Sequence, residues 1–161
     1  MSVTRDMLAT YRGPQKVIAR FLDAGPREDR ALAFLMAGCG LVFVAQWPRL
    51  ARQAHQSGEA LNPLLGGSLM AWVFIAPLAF YFLAFLSLLP FRLLRREVTG
   101  YAARLALFWA LLASAPILLL HGMIAGFIGP GPGEKAVGLI WLLVFGWFWI
   151  AGLVQAGRNA T

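Results

Sequence analysis

The chain has 161 residues, of which 60% are hydrophobic and only 13% are charged. A soluble domain carries roughly 25% charged residues, so this composition argues against a water-soluble fold. The formal net charge of +7 would suit nucleic acid, but the basic residues lie in short stretches between long apolar runs, which is typical of membrane orientation signals. We therefore expect an all-α integral membrane protein that contacts lipids and no nucleic acid.

Residues 1–30 lack the apolar core of a cleavable signal. They contain six Lys and Arg residues, so they are predicted to form a cytoplasmic N-terminal segment. Within this segment, residues 14–24 have the pattern of an amphipathic helix. The apolar side chains that share one face of this helix are Val17, Ile18, Phe21 and Leu22. Lys16 and Arg20 lie largely off that face. Such a helix either lies at the interface on the cytoplasmic leaflet or packs as a soluble helix on the cytoplasmic loops.

Four stretches are apolar enough to cross the hydrocarbon core, which takes about 20 helical residues. The predicted spans are residues 31–47, 68–91, 102–128 and 136–157. Together they make a four-helix transmembrane domain over residues 31–157, followed by a short cytoplasmic tail, 158–161. The Gly/Pro run between the last two spans is predicted to be a tight connection.

The distribution of Lys and Arg predicts the orientation of the spans. Eleven of the fourteen lie in the N-terminal segment, in the flanks between the second and third spans, or in the C-terminal tail. The positive-inside rule places these regions in the cytoplasm, which predicts a multi-pass protein of the inner membrane with both termini cytoplasmic. The other three are Arg49, Arg52 and Lys135 on the outer side, where residues 48–62 are a candidate for a shorter amphipathic helix.

The sequence contains no recognisable catalytic or metal-binding pattern. All seven carboxylates fall in flanks or connections, whereas a proton or cation carrier normally needs one inside the membrane. Two histidines and the single Cys39 lack the spacing of metal ligands. We therefore expect no catalytic residue, no metal and no cofactor, and we interpret the protein as something other than an enzyme.

Pro77, Pro116 and His121 are the candidates for a cavity. A proline inside a helix removes a backbone donor and kinks the helix, which either opens a cavity or simply shapes the packing. His121 lies 17 residues after Arg104, near the outer interface. It is either a pH sensor or ligand contact, or an interfacial histidine bonded to backbone or water.

Gly122 and Gly126 form a Gly-x-x-x-Gly pair on the third span. Small residues let helix backbones approach closely, which matters because no hydrophobic force drives helices together in lipid. The pair either packs inside the bundle or contacts another subunit. The cations expected to contact lipid headgroups or an acidic partner are Lys16, Arg20, Arg92, Arg95 and Arg96. Orientation alone is the alternative explanation for the arginines.

Several short features occur together along most of the chain. They are a Pro-led amphipathic stretch from Gly13 to Leu22, the sequence Arg30-Ala31-Leu32 leading into the first span, the basic connection from Arg95-Arg96 to Gly100-Tyr101, and Ala115-Pro116 in the third span. In these features the chain resembles the bacterial branch of the Ypt/Rab-interacting-protein (YIP) membrane family. The resemblance implies a helical membrane protein that acts through protein or lipid contacts.

The chain also departs from the pattern of that family. Its members typically have five spans, whereas four are predicted here. The Tyr-Gly-Pro motif of eukaryotic members is echoed by Tyr11-Arg12-Gly13-Pro14 with Arg12 intervening, which argues against a GTPase partner.

Two functions fit the sequence. The first is a scaffold, organiser or accessory subunit that binds lipids and either another membrane protein or a second copy of the chain. The alternative is a small-molecule or lipid carrier with a cavity near Pro77, Pro116 and His121.

Overall fold

The computed structural model describes residues 2–93 and 97–159, and the secondary structure in these ranges is helical. The helices are α1 (Val3–Thr10), α2 (Pro14–Asp23), α3 (Glu28–Ser57), α4 (Leu61–Met70), α5 (Ala76–Leu86), α6 (Leu89–Leu93), α7 (Gly100–Phe127) and α8 (Pro132–Asn159). One π turn, Ala71–Ile75, joins α4 to α5.

Four helical segments in the described ranges are long and apolar enough to cross a membrane. They are α3, the run Leu61–Leu93 that contains α4 to α6, α7 and α8. This confirms the predicted all-α architecture with four transmembrane helices. Each segment begins before, or continues beyond, the apolar run predicted from composition. A helix ends where its backbone is capped rather than where its side chains become polar.

The first span is the clearest example of this difference. Its apolar run is followed by Pro48, yet α3 continues to Ser57 and ends where Gly58 adopts a φ of +71°. Most of the stretch 48–62 therefore continues α3 instead of forming a separate amphipathic helix. α4 begins at Leu61.

Helix α7 lies at the centre of the bundle. In its most apolar 18-residue stretch 67% of the residues are buried, against only 6% in the second span. α7 packs on α3, α8 and α5. Its fully buried side chains include Leu105, Phe108, Trp109 and Leu111. The second span therefore lies at the periphery of the fold.

The second span contains the π turn immediately before Pro77. Pro77 has no N–H for the carbonyl of Val73, and a local π turn is one way in which a transmembrane helix accommodates such a break. The helical backbone is uninterrupted through Ala71–Ile75. The span still packs on α7, where the rings of Tyr81 and Phe108 lie 5.0 Å apart. Proline here shapes the helix without ending it.

The N-terminal helix α2 is amphipathic, as its sequence pattern predicts. Val17, Ile18 and Phe21 are 3%, 1% and 3% exposed. These side chains pack mainly on α8 and α7, so the apolar face of α2 is covered by the protein itself and not by lipid. Its position fixes the geometry of the candidate site.

Candidate functional site

The joint between α1 and α2 contacts the middle of α7 through two hydrogen bonds. The Tyr11 hydroxyl donates to the carbonyl oxygen of Ala113 at 2.9 Å, and the Trp109 indole N–H donates to the Thr10 hydroxyl at 3.0 Å. Ala113 lies near the midpoint of α7, about 20 Å from Gly100 at 1.5 Å per residue. The N-terminal segment is thus inserted along the bundle.

An ion pair with one buried partner accompanies this insertion. Asp6 is 6% exposed, and the Arg20 guanidinium donates to its carboxylate. The sequence places Asp6 in a polar flank, and α1 carries it inward because α1 folds back against α2. The spacing of Asp6 and Thr10, one helical turn apart, is a signal that sequence reasoning overlooked.

Cations form a stripe along the solvent-exposed face of α2 and the turn before it. Arg12, Lys16 and Arg20 follow one another at four-residue intervals and are exposed. They line a shallow pocket of about 290 Å³. Of the other predicted contact residues, Arg92 is exposed on α6, and Arg95 and Arg96 lie outside the described residues.

An apolar pocket of about 490 Å³ lies between α1 and α7. Thr4, Met7, Leu8, Tyr11 and Pro116 line this pocket. The structure does not bring the other two cavity candidates to it, since neither residue 77 nor residue 121 is among its lining residues. The space beside the proline of α7 is therefore bounded by the N-terminal helix and not by the second span.

His121 lies near the first turn of α8. Its Nε2 atom is 3.9 Å from the Glu134 carboxylate, which is too long for a hydrogen bond. The same imidazole also lies against Gly138. Within the described residues no group of three His, Cys, Asp or Glu side chains is placed to hold a metal ion.

Gly122 and Gly126 both face α3. A Cβ atom at Gly122 would overlap the backbone of Ala45, 2.8 Å from its carbonyl carbon. A Cβ atom at Gly126 would lie 2.6 Å from the carbonyl carbon of Pro48. The pair is thus occupied by an intramolecular contact, which leaves it no surface for another subunit.

Comparison with known proteins provides no relative. No family model, no curated protein and no solved structure matches this chain. The resemblance to the YIP family stays a prediction, and the function has to be argued from the surfaces described above.

Proposed function

We propose that the chain is a non-enzymatic accessory subunit or scaffold of the inner membrane, resembling the YIP family, that binds another membrane protein through its second span. The observation that carries this proposal is that only 6% of the residues in the most apolar stretch of that span are buried. The large side chains left uncovered include Phe74, Ile75, Leu78, Phe82 and Phe85. A transmembrane helix held so loosely by its own chain has most of its surface free for a neighbour.

A small-residue patch on the same span favours a protein neighbour over lipid. Gly67 and Ala71 form a small-x-x-x-small pair, and nothing lies within 4 Å of the position that a Cβ atom on Gly67 would take. Transmembrane helices associate through such patches because the backbones can approach closely. The equivalent pair on α7 is already filled by α3, whereas the pair on the second span is open to a partner helix.

Substitution of the patch is the direct test of this proposal. The double variant Gly67→Leu with Ala71→Leu should lose the partner that co-purifies after gentle detergent extraction, because the bulky side chains hold the backbones apart. Gly146→Leu is the matched control, since the space beside Gly146 on α8 is also open. A partner retained equally by both variants would refute binding through this patch. A second copy of the chain as the retained partner would identify the contact as self-association.

We propose a second contact, in which Lys16 and Arg20 extend their long side chains from α2 toward acidic headgroups of the cytoplasmic leaflet. Each Lys or Arg near an anionic membrane surface contributes about 1 kcal/mol, and Lys16 is free of any ion pair within the described residues. Arg20 pairs with Asp6, and its side chain is still 46% exposed. Arg92 is a further exposed cation, on α6.

This contact requires the N-terminal segment to face the cytoplasm, and four spans then place the C-terminus on the same side. That orientation is open to measurement. A reporter domain that is active only in the cytoplasm should be active when it is fused to Ser2 and when it is fused to Asn159, because the basic flanks stay inside. Fusions at Gly58 and at Gly131, in the two outer connections, are the internal controls and should report the opposite side. Termini on opposite faces would contradict the four-span arrangement.

One observation favours the alternative of a carrier, namely the apolar pocket beside Pro116. A carrier would need this pocket, so Pro116→Ala should abolish liposome flux of its ligand. A scaffold should tolerate Pro116→Ala and His121→Ala and keep its partner. Measuring flux and co-purification on the same preparations separates the two functions.

A further inference from the structure

The outer end of α3 presents a polar pocket of about 600 Å³ facing the connection between α7 and α8. Arg49, Arg52, Gln53 and Gln56 line it from one side, at the spacing that places residues on a single helix face. Glu134, in the first turn of α8, lines it from the other side. Charges of both signs therefore border one cavity.

These charges do not neutralise one another. Within the described residues no ion pair joins Arg49 or Arg52 to Glu134. The Glu134 side chain is only 20% exposed, and the nearest side-chain nitrogen recorded beside its carboxylate is Nε2 of His121, at 3.9 Å and beyond hydrogen-bond distance. A mostly buried carboxylate without a side-chain donor is costly. A ligand cation in the pocket would satisfy it.

The arginines provide the opposite half of the site. Arg52 donates through Nη1 to the Gly126 carbonyl at 3.2 Å, while its Nε atom is buried without a partner. The side chain of Arg49 is exposed and, in the part of the chain that the structure describes, makes no ion pair or hydrogen bond. Guanidinium groups with free donors are suited to phosphate oxygens. The pocket thus fits a ligand with a phosphate at one end and a cation at the other.

An apolar groove of about 610 Å³ adjoins the polar pocket, and the two share Arg52 and Gln56. Trp47, Pro48, Ala51 and Phe127 form its apolar walls. The Phe127 side chain is 77% exposed, at the end of a membrane-crossing helix where acyl chains meet headgroups. An amphiphile can place its chain on this groove and its headgroup among the charges.

We propose that this outer pocket binds a phospholipid with a phosphoethanolamine headgroup. The phosphate accepts hydrogen bonds from Arg49 and Arg52, and the primary ammonium donates to the Glu134 carboxylate. The acyl chain lies along Trp47 and Phe127. Phosphocholine lacks the N–H donors that the carboxylate needs, and phosphoglycerol lacks the cation, so the pocket distinguishes among headgroups.

Native mass spectrometry of the full chain, extracted from nanodiscs with equal amounts of phosphoethanolamine, phosphocholine and phosphoglycerol lipids, tests this proposal. The wild-type chain should retain one phosphoethanolamine lipid in preference to the others. Glu134→Gln should lower this preference about tenfold, because the amide keeps an acceptor oxygen but loses the negative charge that strengthens the bond to the ammonium. Arg49→Gln should weaken retention of every phospholipid. Lys135→Gln and Glu59→Gln, neighbouring charges outside the pocket lining, are the controls and should change nothing.

Three results would overturn the proposal. They are no retained phospholipid, equal retention of phosphoethanolamine and phosphocholine lipids, and an unchanged preference in Glu134→Gln when circular dichroism shows that the variant is folded. Inorganic phosphate is added in a separate arm. Displacement of the lipid by millimolar phosphate would assign the pocket to a free anion instead. Because the second span and its partner are not involved, failure here leaves the proposed function untouched.

Discussion

Gly122→Ala should destabilise the protein more than its single added methyl group suggests. The new Cβ atom would overlap the Ala45 carbonyl group, which is backbone and cannot rotate away. The two helices must therefore separate along an interface that joins α3 to the central helix. Overpacking of this kind costs about 1–3 kcal/mol, occasionally more. Reversible unfolding by sodium dodecyl sulfate in mixed micelles measures the loss, and Gly126→Ala should behave similarly.

Gly40→Ala and Gly146→Ala are the matched controls for this experiment. Both residues are helical, and nothing lies within 4 Å of the position of the added Cβ atom. Alanine is a better helix former than glycine by roughly 0.5–1 kcal/mol, so these variants should be neutral or slightly more stable. A Gly122→Ala protein as stable as its controls would show that α3 and α7 are not packed as described.

Trp109→Ala should be the most damaging substitution on α7. The side chain is 1% exposed, packs between Phe21 and Phe34, and donates to the Thr10 hydroxyl. Removing it leaves a cavity where α2, α3 and α7 meet, and the cost of such cavities in water-soluble proteins is about 3–5 kcal/mol. In a bilayer less free energy is gained by moving an apolar side chain into the protein, because lipid is also apolar. We therefore expect a loss of about 3 kcal/mol in the free energy of unfolding, measured by the same assay.

Trp147→Ala on α8 provides the comparison, because that side chain is 49% exposed on the outside of the bundle. Its removal should cost well under half as much. A milder change tests the hydrogen bond separately. Thr10→Val leaves the buried indole N–H without an acceptor and should destabilise by about 1–3 kcal/mol, whereas adding Trp109→Phe removes that orphaned donor. Equal losses of stability in Trp109→Ala and Trp147→Ala would contradict the docking of the N-terminal segment.

The four spans were predictable because lipid imposes a strict length and composition on any helix that crosses it. Nothing comparable constrains the ends of these helices. The stretch from Pro48 to Ser57 has the composition of a loop, yet it stays helical. Arg52 in this stretch donates hydrogen bonds to carbonyl groups at the end of α7. Such a tertiary contact has no local signal in the sequence.

The docking of the N-terminal segment was not predictable for a related reason. Amphipathicity correctly indicated that α2 has an apolar face, but periodicity does not say whether lipid or protein covers it. The decisive bonds join Tyr11 to Ala113 and Thr10 to Trp109, about a hundred positions apart. Likewise, the sequence identified Arg49 and Arg52 only as cations on the outer side of the membrane. Their spacing with two glutamines was the available signal of a shared polar face.

Site-specific photocrosslinking from the second span in native membranes is the most direct test of the proposed role. A photoreactive residue at position 78, where Leu78 is 74% exposed, should yield one discrete protein adduct under ultraviolet light. The same residue at position 44, on the exposed face of α3, should give none of that mass. Adducts with lipid alone from position 78, and from positions 74 and 82 on the same span, would contradict the account.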